Sequence, residues 1–526
     1  MYTIPDRYQY QVIHSDDKDV LVLAGAGSGK TFTLLNRIHY LVDTEDVDPK
    51  SILVLTFTRV AAEDMRRRYI QTQRSMYDSV PDFCTFHSFC YQLVTDYSNI
   101  YRRLGYESAP LIVNEQDLAR YRFKAREITS CKLSDNKINN PAYLTGKDKL
   151  SCEHYHKVLN SMLKKDNRIT FDELSEKVCK LIASKDESTI PIVNQYKYIF
   201  VDEFQDTDKD QFAFIMSMVG CKRMLFGDVL QNIYQFRGCS NKPLKDIIDN
   251  SSWKVYKLPV NYRSSSRICN YVNNKSKNFQ SSKYRIELIS DIPGPVIRTL
   301  TNMEDYEFYD SLAEYINIVE DKGSTAVLCR TNFEVSQTFN ELVKRGLSVS
   351  RTQDKNYLVR LLESVYDDES EIKLYESLMS DYEYSIYRMM SLDGRTCQDI
   401  LQSSRFTGSQ ASKALHSLQT VKAILKCNNI TESRFMLYDM FDVEQPNIEI
   451  SNNKELVNYL LNKIQCNIRS DIYVGTIHSV KGLEFDNVVV MNVGSRSFKV
   501  NEEQTENLFY TACTRAKKYL LVGCSV

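Results

Sequence analysis

The sequence predicts an α/β protein built on parallel sheets, and two strand-to-loop junctions carry that expectation. The run Val20-Leu21-Val22-Leu23 is short and wholly apolar, as a strand covered on both faces must be. It passes into Ala24-Gly25-Ala26-Gly27-Ser28-Gly29-Lys30-Thr31, then into a stretch carrying Leu34, Leu35 and Ile38 at helical spacing. A second apolar run, Tyr198-Ile199-Phe200-Val201, ends abruptly in Asp202-Glu203-Phe204-Gln205-Asp206. Strands that empty into polar loops and helices are the build of a parallel sheet wrapped by helices.

Composition sets the outer bounds. At 526 residues the chain has room for about three or four compact units. Its 43% apolar content supports buried cores and excludes a disordered chain. No apolar run reaches the length of about 18 residues that a membrane helix needs, and Met1 to Arg7 lacks the build of a signal peptide. The 14 cysteines are scattered without a CxxC pair, which argues against zinc ribbons and iron–sulfur clusters and fits a reducing, cytoplasmic setting. With 67 basic and 68 acidic residues the net charge is −1. A uniformly basic nucleic-acid coat is thereby excluded, whereas a channel with a few basic and aromatic groups is not.

The two junctions suit phosphate chemistry. Glycines let backbone N–H groups curl around phosphate oxygens, and a helix N-terminus adds a favourable dipole. In a loop comprising Ala24, Gly25, Ala26, Gly27, Ser28 and Gly29, Lys30 would reach the β- and γ-phosphates of ATP and the Thr31 hydroxyl would hold Mg²⁺. Ala24 stands where the strict pattern begins with glycine. Asp202 is expected to engage Mg²⁺, and Glu203 to orient and deprotonate the attacking water. Taken singly, the first motif could be a glycine-rich turn and the second a solvated acidic turn. Together they describe an NTP hydrolase.

Further motifs follow in order: Gln9, Thr56-Phe57-Thr58 with Ala61-Ala62, Thr85-Phe86-His87-Ser88-Phe89, and Gly227-Asp228 with Gln231, Tyr234 and Phe236-Arg237-Gly238. After them come Asn261-Tyr262-Arg263-Ser264, Leu328-Cys329-Arg330-Thr331-Asn332, Thr476 to Phe485, and Tyr510 with Thr514-Arg515-Ala516. This series resembles the superfamily 1A DNA helicases of the UvrD/Rep/PcrA family. The resemblance implies that Gln9 reads the adenine edge, Tyr262 stacks on its face, and Arg37 and Glu484 reach the nucleotide from either side. It implies that Arg263 and Arg515 stabilise charge on the γ-phosphate as arginine fingers, with Gln231 sensing that phosphate. It also implies DNA contacts from Phe57, Thr58, His87, Tyr234, Phe236 and His478, the aromatic rings stacking on bases. The plain alternatives are surface ion pairs for the arginines and core positions for the aromatic rings.

By the same resemblance the fold is two RecA-like motor domains, each interrupted by a mostly helical insertion. The first motor domain would comprise residues 1–97 and 190–280, with 98–189 as its insertion. The second would comprise 281–355 and 456–526, with 356–455 as a reduced insertion. The stretch Ala119 to Arg126, basic and tyrosine-bearing, is expected to be helical. Glu506-Asn507 departs from the family's acidic-basic pair, so an ion pair there is expected to be rewired, and the glycine pair expected near Thr352-Gln353 is missing.

The implied activity is an ATP-dependent 3′–5′ helicase or translocase acting on single-stranded DNA or a tailed duplex. A second reading makes the chain a DNA-sensing or translocating ATPase subunit beside a nuclease, in repair or anti-phage defence, as in systems of the Gabija type. An RNA motor is a third, because stacking pockets do not read the 2′-OH.

Overall fold

The computed structural model describes residues 4–72, 79–113, 115–133, 144–235, 239–250, 252–320, 323–350, 472–494 and 502–525, with a few isolated positions between them. The second insertion, the Thr352-Gln353 position and Phe236-Arg237-Gly238 therefore lie outside the described residues, apart from a few positions in 420–460. By their contacts the residues form two units. One holds Met1–Thr299, Lys481–Glu484 and Val493–Val522; the other holds Leu300–Val480, Phe485–Asn492 and Gly523–Val526.

The first unit is built on a six-stranded sheet. Its strands are β1 (Asp19–Ala24), β2 (Ile52–Thr56), β3 (Asp82–Thr85), β6 (Tyr198–Val201), β7 (Lys222–Gly227) and β8 (Lys254–Leu258), in the order β3-β2-β6-β7-β1-β8. Every neighbouring pair is parallel. Because side chains alternate along a strand, each strand feeds two cores. Leu21, Leu23, Leu53, Leu55, Ile199, Val201 and Leu225 enter one cluster, whereas Val20, Val22, Ile52, Val54, Phe200, Met224 and Phe226 enter the other. Both faces are covered, which is why these strands read as continuous apolar runs. Burying each such side chain contributes about 1.5–3 kcal/mol.

Helix α1 (Arg7–Ile13) precedes β1, and α2 (Lys30–Asp43) begins where the glycine-rich loop ends. Helices α3 (Arg59–Thr72) and α4 (Phe86–Asp96) follow β2 and β3. The stretch between α4 and β6 is mostly helical, as expected: α5 (Ser98–Arg103), α6 (Glu115–Thr129), α7 (Gly146–Lys165) and α8 (Phe171–Ala183). Tyr155, Leu159 and Leu163 of α7 pack with Leu118 and Ala125 of α6 in a separate core. A short parallel pair, β4 (Leu111–Ile112) and β5 (Arg168–Ile169), sends Ile112 and Ile169 into a core of the first sheet.

The second sheet contains β9 (Arg298–Met303), β10 (Thr325–Cys329), β11 (Val349–Ser350), β12 (Ile472–Thr476), β13 (Phe485–Val490) and β14 (Ala516–Ser525), in the order β11-β12-β10-β13-β14-β9. The pairs β11–β12, β10–β12 and β10–β13 are parallel. The architecture is α/β with two RecA-like sheets. Among the described residues no helix is long and apolar enough to cross a membrane.

One buried cation ties the first sheet to its helices. Arg223 on β7 meets Asp19 of β1 at 2.6 Å, donates to the Met216 carbonyl at 3.0 Å and lies 5.1 Å from the Trp253 ring centroid. Arg223→Met keeps the apolar stem over the ring but strands Asp19 and the carbonyl. A loss of about 3 kcal/mol is expected in urea unfolding, and a loss below about 1 kcal/mol would show the pair to be incidental.

Candidate active site

Strand β1 delivers the glycine-rich loop to the N-terminus of α2, and two glycines make the path possible. Gly27 and Gly29 have φ of +69° and +76°, the left-handed region. A Cβ on Gly27 would stand 2.8 Å from the Arg263 Cβ, and one on Gly29 would stand 2.9 Å from the Gln9 amide nitrogen. Ala24 ends β1, Ala26 and Ser28 are buried, and Lys30 and Thr31 open the helix. The segment after β8 lies along this loop. Asn261 donates to the Ala26 carbonyl at 2.6 Å, and its own oxygen accepts from the backbone of Arg263 (2.8 Å) and Ser264 (2.6 Å). The Tyr262 backbone donates to the Gly27 carbonyl at 2.9 Å. On the other side Gln9 is buried and donates to the Ser28 carbonyl at 3.2 Å.

The acidic strand end faces the same loop. Lys30 Nζ lies 3.1 Å from Glu203 Oε1, and Gln205 donates to the other oxygen of Glu203. Glu203 itself adopts φ of +51°, a strained setting for a residue with a Cβ. Burial alone would raise its pKa, yet the ammonium groups of Lys30 and Lys481 pull it down to about 2. Asp202 goes the other way. Burial and the adjacent Glu203 charge push it up to about 7, only partly offset by Lys30. Asp202 Oδ1 is buried and has no hydrogen-bond donor. A bare, buried carboxylate oxygen suits a hard divalent cation, so Asp202, with the Thr31 hydroxyl, fits Mg²⁺.

Both expected arginines reach this site. Arg263 Nε contacts Glu484 Oε2 at 2.7 Å and Nη1 donates to the Thr514 carbonyl at 3.2 Å. Arg515 is buried, bonded to the carbonyls of Thr511 (3.0 Å) and Leu483 (3.3 Å) and 3.5 Å from Gln231 Oε1. Its pKa falls to about 9, first through burial and then through the neighbouring Arg263 charge. Glu484 also pairs with Lys517 at 2.8 Å, so both its oxygens are engaged by cations. Gln231 donates to Asp228 at 2.7 Å, and the buried Tyr510 hydroxyl bridges Asp228 (3.2 Å) and the Ala26 amide (3.5 Å).

Beside this cluster, Phe57 and Tyr234 are half-buried and stack on each other, with centroids 5.1 Å apart and planes 20° from parallel. Lys481 connects them to Gln231 and Asp206. Its ammonium lies 4.8 Å from the Tyr234 centroid, donates to the Gln231 carbonyl at 3.2 Å and pairs with the buried Asp206. Thr58 accepts from the Ala61 amide at 3.1 Å at the start of α3. His87 lies 3.3 Å from the exposed Asp172. His478 belongs to the other unit, in the turn Ile477–Val480.

Arg37 is the exception. It is buried two turns into α2, donates to the Ile13 carbonyl at 2.7 Å and lies over the Tyr40 ring, so the fold does not bring it to the loop. The sequence reading also gave no role to Asn261, Asp206, Lys481 or Tyr510, although each stood inside a motif. At Glu506-Asn507 hydrogen bonds replace an ion pair: Glu506 accepts from the Gln280 amide (2.8 Å) and Asn507 donates to the Asn232 carbonyl (2.9 Å). The ion pair sits one turn earlier, between Glu503 and Lys245 at 2.8 Å.

The Asp206–Lys481 pair gives a signed pH prediction. Burial lifts the Asp206 pKa from 3.8 to about 6 even though Lys481 opposes the rise. A carboxyl raised on folding adds stability at low pH and loses it as pH climbs through the folded value. In Lys481→Met burial acts unopposed, the folded pKa moves higher, and that loss extends further into the neutral range. The difference in unfolding free energy between parent and variant, read by urea unfolding, should therefore widen from about pH 5 to about pH 8, reaching about 3–5 kcal/mol. An equal gap at both values would contradict a buried pair.

Comparison with known proteins agrees with this geometry. Residues 6–251 match the UvrD/REP helicase N-terminal domain, and residues 352–525 match the UvrD-like helicase C-terminal domain. A probable DNA helicase II homolog of Mycoplasma capricolum is 31% identical over 300 residues, covering 51% of this chain and 40% of that protein. The corresponding protein of Mycoplasma genitalium is 23% identical, covering 95% of this chain and 82% of its own length. The ATP-dependent DNA helicase PcrA of Staphylococcus aureus is 27% identical, covering 58% of this chain and 43% of its own. The match thus spans less than half of two of these relatives and most of the third. With a phosphate loop, an acidic strand end and two arginines around one site, and with both domain families matched in order, the chain belongs to the UvrD/Rep family of superfamily 1 DNA helicases.

Proposed function

We propose that the chain hydrolyses ATP with Mg²⁺ and uses the cycle to step 3′ to 5′ along single-stranded DNA, opening a tailed duplex in the cytoplasm. The observation that carries this reading is the linkage from Glu203 and Lys30, through Gln231 and Lys481, to the Phe57–Tyr234 stack. Lys30 would leave Glu203 for the phosphates. Glu203, kept ionised, would take the proton of the attacking water. Thr31 and Asp202 would hold Mg²⁺, which supplies charge neutralisation to the phosphates when bound. Arg263 and Arg515 would neutralise charge growing on the γ-phosphate, in a site where both are already desolvated or held by carbonyls. Gln9 and Tyr262 would take the base, and Glu484 the sugar. Gln231 would report the phosphate through Lys481 to the aromatic pair; the resemblance adds Thr58, His87, Phe236 and His478 to the DNA contacts. The proposed motor comprises four parts, with motor domains at 1–97 with 190–280 and at 281–355 with 456–526 and insertions at 98–189 and 356–455.

The chemistry separates in two variants. Lys30→Ala should weaken ATP binding and turnover together, whereas Glu203→Gln should bind ATP and turn over at least about a hundredfold more slowly. Near-parental turnover in Glu203→Gln would remove the assigned base. Coupling is read in Tyr234→Ala, which deletes a stacking surface of about 1–3 kcal/mol per base. Basal ATPase should survive and the DNA-stimulated part should fall; a folded variant that still responds fully to oligonucleotide would end the coupling assignment. Unwinding of a 3′-tailed but not a 5′-tailed duplex tests polarity. Translocation without unwinding would favour the reading as a motor subunit beside a nuclease.

A further inference from the structure

We propose that Asp6 is a positioning residue for the nucleotide base, presetting the ring of Tyr262 before any ligand arrives; this rests on the reading of Tyr262 and Gln9 given above. Asp6 divides its carboxylate between two tasks. Oδ1 caps α1, accepting from the amides of Tyr8 (2.6 Å) and Gln9 (2.8 Å). Oδ2 accepts from the Tyr262 hydroxyl at 2.5 Å, across 256 residues of sequence. The Tyr262 backbone is meanwhile bonded to Gly27, so the residue is tethered at both ends while it stays 50% exposed. An exposed tyrosine ordinarily samples several rotamers, and ordering it on binding costs free energy. Two tethers remove that cost in advance. Burial and the Asp6 charge both raise the phenol pKa, so the hydroxyl remains the donor.

The same residue settles the Gln9 amide by a different atom. The Asp6 backbone donates to Gln9 Oε1 at 3.2 Å, and Gln9 Nε2 donates to Ser28, which fixes which end of the amide is oxygen. One N–H and one lone pair remain for a base edge. The two contributions are chemically separable. A ring face stacks on any base, whereas the amide's donor and acceptor discriminate between edges. A serine at position 6 could still cap the helix and still offer its backbone N–H, but it lacks the second oxygen that reaches Tyr262. The carboxylate is required for the ring alone.

The test is a set of steady-state KM values for ATP and GTP in the full chain, with melting temperatures alongside. Tyr262→Phe and Asp6→Ser should each raise KM for ATP by about three- to tenfold while kcat moves less than about twofold. The double variant should be no worse than either single one, because both remove the same contact. The ratio of KM for GTP to that for ATP should stay at the parental value, in contrast to Gln9→Ala, where it should fall. If Tyr262→Ala raises KM but Tyr262→Phe does not, the ring stacks without help from Asp6 and the proposal is overturned while the base assignment stands. If Tyr262→Ala is itself parental, the base assignment fails and takes the proposal with it. Additive effects in the double variant would mean that Asp6 acts only as a helix cap, which also overturns it.

Discussion

Lys30 and Glu203 stand beyond the ends of β1 and β6, and β7 lies between those two strands in the sheet. Adjacent strands run about 4.8 Å apart, so the two side chains meet across nearly 10 Å of sheet. A long cation at the first position of α2 and a long carboxylate two residues past β6 span that gap. The strand order is therefore what makes the site, and the left-handed backbone at Glu203 is the local strain that aims its carboxylate back at the loop. Removing either partner would leave a buried charge without its counterion.

Around this pair the late segments of the chain act as a second wall. Asn261 follows the loop's backbone, Tyr510 reaches the Ala26 amide, and Arg515 sits between Gln231 and the Leu483 carbonyl. Each contact reads the position of something else in the site. Asp228 illustrates this: its carboxylate holds Gln231, Tyr510 and the Leu230 amide at once. A shift at the loop is thus transmitted by hydrogen bonds that have few alternative partners, because the groups are buried.

What could be read in the sequence was what is local. The glycine-rich loop and the acidic strand end are continuous stretches whose chemistry and secondary structure agree, so the parallel sheets and the meeting of Lys30 with Glu203 were legible. The contacts of Tyr510, Lys481 and Asn261 were not, since they join residues more than two hundred positions apart and leave no periodic trace. Arg37 shows a different failure. Seven residues beyond Lys30 it shares a helix face, but two turns also carry it about 10 Å along the axis. Its buried guanidinium instead donates to the Ile13 carbonyl.

The stacked Phe57 and Tyr234 rings have a consequence for any flat molecule that binds there. Each ring already covers a face of the other, so an incoming ring can slide between them only by exchanging one contact for two. The first contact, worth about 0.5–1.5 kcal/mol, is lost before the new ones form. Entry then gains only the difference between two contacts and one, and exit costs that difference more than entry does. The opposed rings thus set a modest net affinity for any flat guest, smaller than that of two free faces.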